Sequence, residues 1–230
     1  MSPLRQDTPF SYQCNGCGRC CYHKRIQVNP YEILRLARNL GISTGDFVRR
    51  HLERNGPYLR ATDDDACIFL DGKQCSVHAD RPLACRTYPL GRRVSATGEE
   101  TFVELAPHPQ TEGVYGQDGS IGAFLTRQGA YPYMEVADRY QALFYRMFDA
   151  LQPAFESAPE LAESVPSAML SGDDTPAFME WLDVDQIVGH YCDKQRLEMP
   201  ENPAAKAELH IAAIDIWLDG LTGGKHEQRT

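Results

Sequence analysis

The chain reads as an α+β protein, mostly helical, with a cysteine-rich N-terminal part carrying small β-hairpins and a helical C-terminal part. Three observations predict this. Seven of the eight cysteines lie within the first 85 residues, and four of them spell Cys14-x2-Cys17-x2-Cys20-Cys21. The segments around Cys67–Cys75 and 92–105 are short apolar runs broken by Asp71-Gly72 and Thr97-Gly98, which are hairpin signals. Beyond about residue 119 cysteine nearly disappears and apolar residues recur at helical spacing.

Taken in order, residues 1–13 carry no periodic pattern and read as a loose lead-in. The cysteine run holds Gly16 and Gly18 and must be a tight loop. Asn29-Pro30 is an N-cap followed by proline at the first helical position. Ile33, Leu34, Ala37 and Leu40 give that helix an apolar face, and Gly41 stops it. A second short helix is expected over Thr44–Glu53, with Phe47, Val48 and Leu52 facing inward, ended by Asn55-Gly56-Pro57. The Asp71-Gly72 hairpin brings Cys67 and Cys75 near each other, and a short helix follows at Arg81-Pro82, carrying Cys85.

Pro132 starts the strongest helical pattern. Val136, Ala137, Tyr140, Leu143, Phe144, Met147, Phe148 and Leu151 share one face, and Phe144, Met147 and Phe148 read as core. Residues 152–176 carry four prolines and read as a linker or broken helix. Helices over about 183–197 and from Asn202-Pro203 to Leu221 complete the chain, with Gly223-Gly224 as the stop. Isolated Cys192 reads as a small buried apolar side chain. The expected organisation is a cysteine-cluster region over 1–118 and a helical region over 119–230, packed on the first as one compact unit.

The formal charge, 23 basic against 32 acidic residues, is −9, a field that disfavours nucleic acid and anionic membrane. No apolar run approaches the ~18 residues of a membrane span, and Met1–Gln13 has no signal-type apolar segment, so neither membrane nor nucleic acid is an expected partner and a cytoplasmic location is expected. Reducing conditions there favour metal over disulfide as the use of clustered cysteines. Cys14-Asn-Gly-Cys17-Gly18 has the spacing of a metal knuckle, in which backbone N–H groups point at thiolates. Cys-x2-Cys-x2-Cys also matches the start of iron–sulfur ligation, without its usual x3-Cys-Pro continuation. The candidate ligands are Cys14, Cys17, Cys20, Cys21, Cys67, Cys75 and Cys85, for zinc, iron or an iron–sulfur cluster. The N-terminal part is then metal-nucleated. Side chains of adjacent Cys20 and Cys21 are expected to diverge, which favours two metal positions or one polynuclear cluster. Arg19, Lys24, Arg25, Arg81 and Arg86 are near enough in sequence to offset thiolate charge. His78 reads as a hydrogen-bonded or exposed histidine.

The run Cys14–Cys21, then Cys67-Ile-Phe-Leu…Cys75-Ser-Val-His78, then Arg81-Pro82-Leu-Ala-Cys85-Arg86-Thr-Tyr-Pro89, resembles the YkgJ-type cysteine-cluster (CxxCxxCC) family over about residues 10–115. That family is described as zinc- or iron-chelating. The resemblance implies a thiolate zinc or iron–sulfur site. Some members are labelled iron–sulfur oxidoreductases, and a related cysteine-cluster domain occurs in lysine methylases that use S-adenosylmethionine. Redox or S-adenosylmethionine-linked protein modification is thus one expected activity. A zinc-stabilised structural or interaction module, with a protein partner and no catalysis, is the alternative. Many members carry a further cysteine where this chain has Pro109–Gly113, which leaves seven thiols instead of eight.

Overall fold

The structure, a computed structural model, describes residues 3–54, 56–95, 97–157 and 177–223. It is α+β and mostly helical, with three small antiparallel sheets of two strands each among the described residues. The chain divides into two compact units: Met1–Val28 with Tyr58–Met134, and Asn29–Pro57 with Glu135–Thr230. This differs from a single cut at 118–119. The helical pair at 29–57 clusters with the C-terminal helices, and the first helix after the cysteine region clusters with the strands.

In the first unit the lead-in is not loose. Strand β1 (Pro9–Gln13) pairs antiparallel with a strand about a hundred residues later, here β6 (Val114–Ser120), with Tyr12 opposite Tyr115 and Gln13 opposite Val114. Local pattern could not announce this, because the partner strand supplies the backbone acceptors and the reason for extension. Strands β2 (Leu70–Asp71) and β3 (Gln74–Cys75) form the expected hairpin, turned by Gly72 at φ +59°. Strands β4 (Leu90–Val94) and β5 (Glu100–Glu104) form the second, with Leu4 bridging to Phe102. Helix α3 (Leu83–Thr87) carries Cys85, and helix α4 (Ile121–Arg127) is capped by the Ser120 hydroxyl, which accepts from the Ala123 N–H at 3.2 Å. The core of this unit gathers Phe10, Leu90, Phe102, Ile121, Phe124, Leu125, Ala130 and Met134. Phe10 meets Phe124 edge-to-face at 5.2 Å.

In the second unit α1 (Pro30–Leu40) has the expected ends: a full capping box between Asn29 and Glu32, proline at the first turn, and Gly41 in the left-handed region at φ +67°. Helix α2 (Thr44–His51) buries Phe47, Val48 and then Leu52, as its pattern predicts. Helix α6 (Val184–Gln195) follows a 3-10 turn at Ala177–Leu182, and α7 (Pro203–Gly223) starts at an Asn202 cap. The first turns of α2 and α6 lock together. The Thr44 hydroxyl donates to Asp183 and accepts from the Asp185 N–H, both at 2.8 Å, while the Thr44 N–H donates to Asp185 at 2.8 Å. Lys206 of α7 donates to the other oxygen of Asp185 at 2.6 Å.

Helix α5 (Tyr131–Ser157) runs through Pro153, and residues 158–176 of the expected linker lie outside the described residues. Helix α5 runs parallel to α7. Arg139 binds Glu208 and, seven residues on in both helices, Arg146 binds Asp215; Tyr140 and His210 meet between them. The buried seam is Tyr140, Leu143 and Met147. Phe144 and Phe148, read as core with Met147, are instead 44% and 61% exposed. A two-helix seam covers only a narrow stripe, and these residues fall beside it. No described helix is long and apolar enough to cross a membrane.

Candidate metal centre

The loop that opens the cysteine run is shaped by its glycines. Gly16 and Gly18 both sit at positive φ, and a methyl group on Gly18 would lie 3.1 Å from the Lys73 carbonyl oxygen and 3.3 Å from Leu70. Glycine at 18 therefore lets the first run settle on the β2–β3 hairpin. Further bonds tie the two blocks. The Cys67 N–H donates to the Cys21 carbonyl at 2.8 Å, Tyr22 bridges Ala66, and the His23 N–H donates to the Asp65 carbonyl at 2.9 Å. Cysteines far apart in sequence are thus carried on one bonded framework.

Three of the sulfurs accept a backbone N–H from two residues further on. The Gly16 N–H donates to Cys14 Sγ at 3.5 Å, the Phe69 N–H to Cys67, and the Val77 N–H to Cys75. At Cys67 and Cys75 such donors favour the thiolate over the thiol. At Cys67 and Cys75 burial is the larger effect and pushes both thiols up, with the N–H groups and, at Cys75, Arg81 opposing it. A bound cation is what would reverse that balance.

Cys20 and Cys21, in the 3-10 turn Arg19–Cys21, do not diverge. The two thiols lie within reach of each other, and their interaction draws Cys20 down and holds Cys21 up. Electrostatic contact also joins Cys21 to Cys67 and Cys85, and Cys20 to Cys67 and Cys75. Cys14 lies within electrostatic reach of Tyr12 and Arg81. These influences link Cys20, Cys21, Cys67, Cys75 and Cys85 directly and Cys14 through Tyr12 and Arg81, while Cys17 is half-buried on the same loop. Cys192 is buried in the second unit, its thiol 3.9 Å from the Glu198 carbonyl. All eight are free thiols. Among the described residues no three metal-ligating side chains already converge as a ready shell. The donor set itself fits a thiophilic ion: clustered, undisulfided sulfurs with N–H donors aimed at three of them.

The basic residues divide by role. Lys24 and Arg81 both act on Cys20, drawing it down after the larger effect of Cys21. Arg25 is spent on Tyr58, stacked 3.9 Å above its ring. Arg86, 7% exposed, turns into a cage of carbonyls and a phenol. His78 is exposed and sits 3.4 Å from Arg81; burial first, then Arg81 and Arg86, hold its imidazole below the usual range.

Sequence reasoning missed an aromatic wall beside Cys14. Tyr12 stacks edge-to-face on Tyr115 at 4.9 Å and on Tyr88 at 6.0 Å. Burial first, then Cys14, pushes the Tyr12 phenol up to about 12. It also missed Gln128 and Tyr133, which hold Arg81 and Arg86 from outside the cysteine motif. The spacing of Tyr12 just before Cys14 was the only local hint.

Residues 13–108 match the family described as "CxxCxxCC: Putative zinc- or iron-chelating domain". The match spans 96 of the 230 residues. The match supports metal binding, zinc or iron, and agrees with the cysteine motifs on which the resemblance rests. All seven clustered cysteines fall within the CxxCxxCC domain, and Cys192 falls outside it. Neither a curated protein nor a solved structure matches the chain.

Proposed function

We propose that the CxxCxxCC domain holds zinc or iron through thiolates drawn from Cys14, Cys17, Cys20, Cys21, Cys67, Cys75 and Cys85, and that the metal fastens the opening loop to the β2–β3 hairpin and α3. The observation that carries this reading is the set of three sulfurs, Cys14, Cys67 and Cys75, each accepting an N–H from two residues on. That arrangement points polar hydrogens at sulfur in three separate segments of the chain at once. When bound, the ion supplies the positive charge that makes several half-buried thiolates compatible. The residues do the rest: Gly16 and Gly18 shape the loop, the Cys67–Cys21 bond aligns the blocks, and Tyr12 walls one side. Redox or S-adenosylmethionine-linked chemistry is an expectation of the family resemblance alone, and the reading favoured here is a metal-stabilised module.

The test is anaerobic purification of the full chain, followed by metal and acid-labile sulfide analysis of the parent and of Cys75→Ser, Cys85→Ser and Cys192→Ser. The parent should hold zinc or iron in stoichiometric amount. Cys75→Ser and Cys85→Ser should lower it, and Cys192→Ser should not. Metal-free parent protein, or full metal content in both Cys75→Ser and Cys85→Ser, would refute the assignment. Labile sulfide would direct the reading to an iron–sulfur cluster.

A further inference from the structure

We propose that Arg81 is the charge-setting residue of the thiolate centre and that Arg86 and Gln128 are the residues that position it. The inference rests on the thiolate reading above and goes beyond it by assigning roles to three non-cysteine side chains.

Four thiolates around one divalent zinc carry a net charge near −2, which is costly where water is partly excluded. A nearby fixed cation lowers that cost. Arg81, four residues before Cys85 and six after Cys75, acts electrostatically on Cys14, Cys75 and Cys85, and on Cys20. It is half-buried and tethered at two points. One terminal nitrogen donates to the His78 carbonyl at 2.7 Å and the other to Gln128 Oε1 at 2.7 Å. A planar guanidinium held by both arms cannot swing out to solvent as a lysine would.

Arg86 holds the site from behind. Its Nε donates to the Arg81 carbonyl at 3.0 Å, and its terminal nitrogens donate to the Gln128 carbonyl at 2.9 Å, the Ala79 carbonyl at 2.6 Å and the Tyr133 hydroxyl at 2.9 Å. Its guanidinium also lies 4.1 Å over the Tyr133 ring. Among the described residues its acceptors are therefore three carbonyls and a phenol, which fix geometry without cancelling its charge. Gln128 serves both arginines, by side chain to Arg81 and by backbone to Arg86. The two arginines that look equivalent in Arg81-Pro-Leu-Ala-Cys85-Arg86 thus divide the work: Arg81 faces the thiols and Arg86 braces the turn that presents it.

The experiment is zinc(II) competition against a chromophoric chelator of known affinity, using the full chain and Arg81→Met, Arg81→Lys, Arg86→Met and Gln128→Leu, with thermal melting of each metal-free form. Arg81→Met should weaken zinc binding about tenfold or more while leaving the metal-free melt close to the parent's. Arg81→Lys, which keeps the charge but not the two-armed tether, should recover part of that loss, which a merely structural role would not predict. Gln128→Leu, which frees one arm of Arg81 and keeps the backbone acceptor of Arg86, should weaken zinc binding by less than Arg81→Met does. Arg86→Met should lower the metal-free melt more than Arg81→Met. Parental affinity in both Arg81→Met and Gln128→Leu, or Arg81→Lys no better than Arg81→Met, would overturn the charge-setting role while the thiolate reading stands. A parent chain that binds no zinc and no iron would overturn both.

Discussion

His210 makes the helical unit acid-sensitive, and the size of the effect follows from its surroundings. The residue is completely buried on the face of α7 toward α5; its Nδ1 meets the Tyr140 hydroxyl at 3.0 Å, and its Nε2 has no hydrogen-bond partner among the described residues. Burial pushes the imidazole down to about 3, against a smaller opposing effect of the Trp181 backbone. The unfolded histidine titrates near 6.5, so between that value and about 3 the unfolded chain binds one proton more than the folded chain at this site. Stability from this group is therefore complete above pH 6.5 and falls as pH falls. Each unit costs about 1.4 kcal/mol, which gives about 2 kcal/mol near pH ~5 and roughly 5 kcal/mol at the acid limit. The comparison is urea unfolding of the parent and His210→Asn across this range, with metal removed from both. Asparagine leaves Tyr140 a partner and does not titrate, so contributions common to both chains cancel. The parent should lose about 2 kcal/mol more than the variant between neutral pH and pH ~5. Parallel pH profiles for the two proteins would refute the assignment of a neutral, buried His210.

Two further predictions concern the same unit. In Gly45→Ala the new methyl would lie within clashing distance, 2.3 Å, of Asp183 Oδ2, so the carboxylate must shift from the position in which its other oxygen accepts from the Thr44 hydroxyl and the Gln186 N–H. The loss of two such bonds, about 2–3 kcal/mol, outweighs a helix-propensity gain of about 1 kcal/mol, and a lower urea midpoint is expected; a midpoint at or above the parent's would show that Asp183 relocates freely. On α5, Leu143→Ala should cost about 2–4 kcal/mol by denaturant unfolding, whereas Phe148→Ser should change stability by less than about 0.5 kcal/mol. Equal losses would mean that Phe148 is covered after all.

Much of the local architecture was legible in the sequence because its causes are local. Asn29, Pro30 and Gly41 bound α1, since each satisfies or terminates the backbone of that turn alone. Asp71-Gly72 turned β2 into β3 for the same reason. What eluded the sequence depended on a distant partner. The β1–β6 pairing joins Tyr12 to Tyr115, and nothing beside Tyr12 announces the other strand. The apolar stripe of α5 was too wide because periodicity shows which residues share a face, whereas the width of the α7 contact decides which of them are covered.

The division is sharpest at the cysteines. The sequence alone determined which thiols are candidates, that they follow the spacing of a chelating motif, and that arginines stand close by, because spacing and composition are properties of the chain. Only the tertiary structure decided how they are used. It set the opening loop on the hairpin through Gly18 and Lys73, brought the Cys20 and Cys21 thiols within reach of each other, and aimed N–H groups at Cys14, Cys67 and Cys75. It also separated Arg81 from Arg86 by giving one the thiols and the other the carbonyls of residues 79, 81 and 128. The physical reason is that charge and hydrogen bonding act over a few ångströms in space, and the chain brings Gln128 and Tyr133 within that range only when it folds.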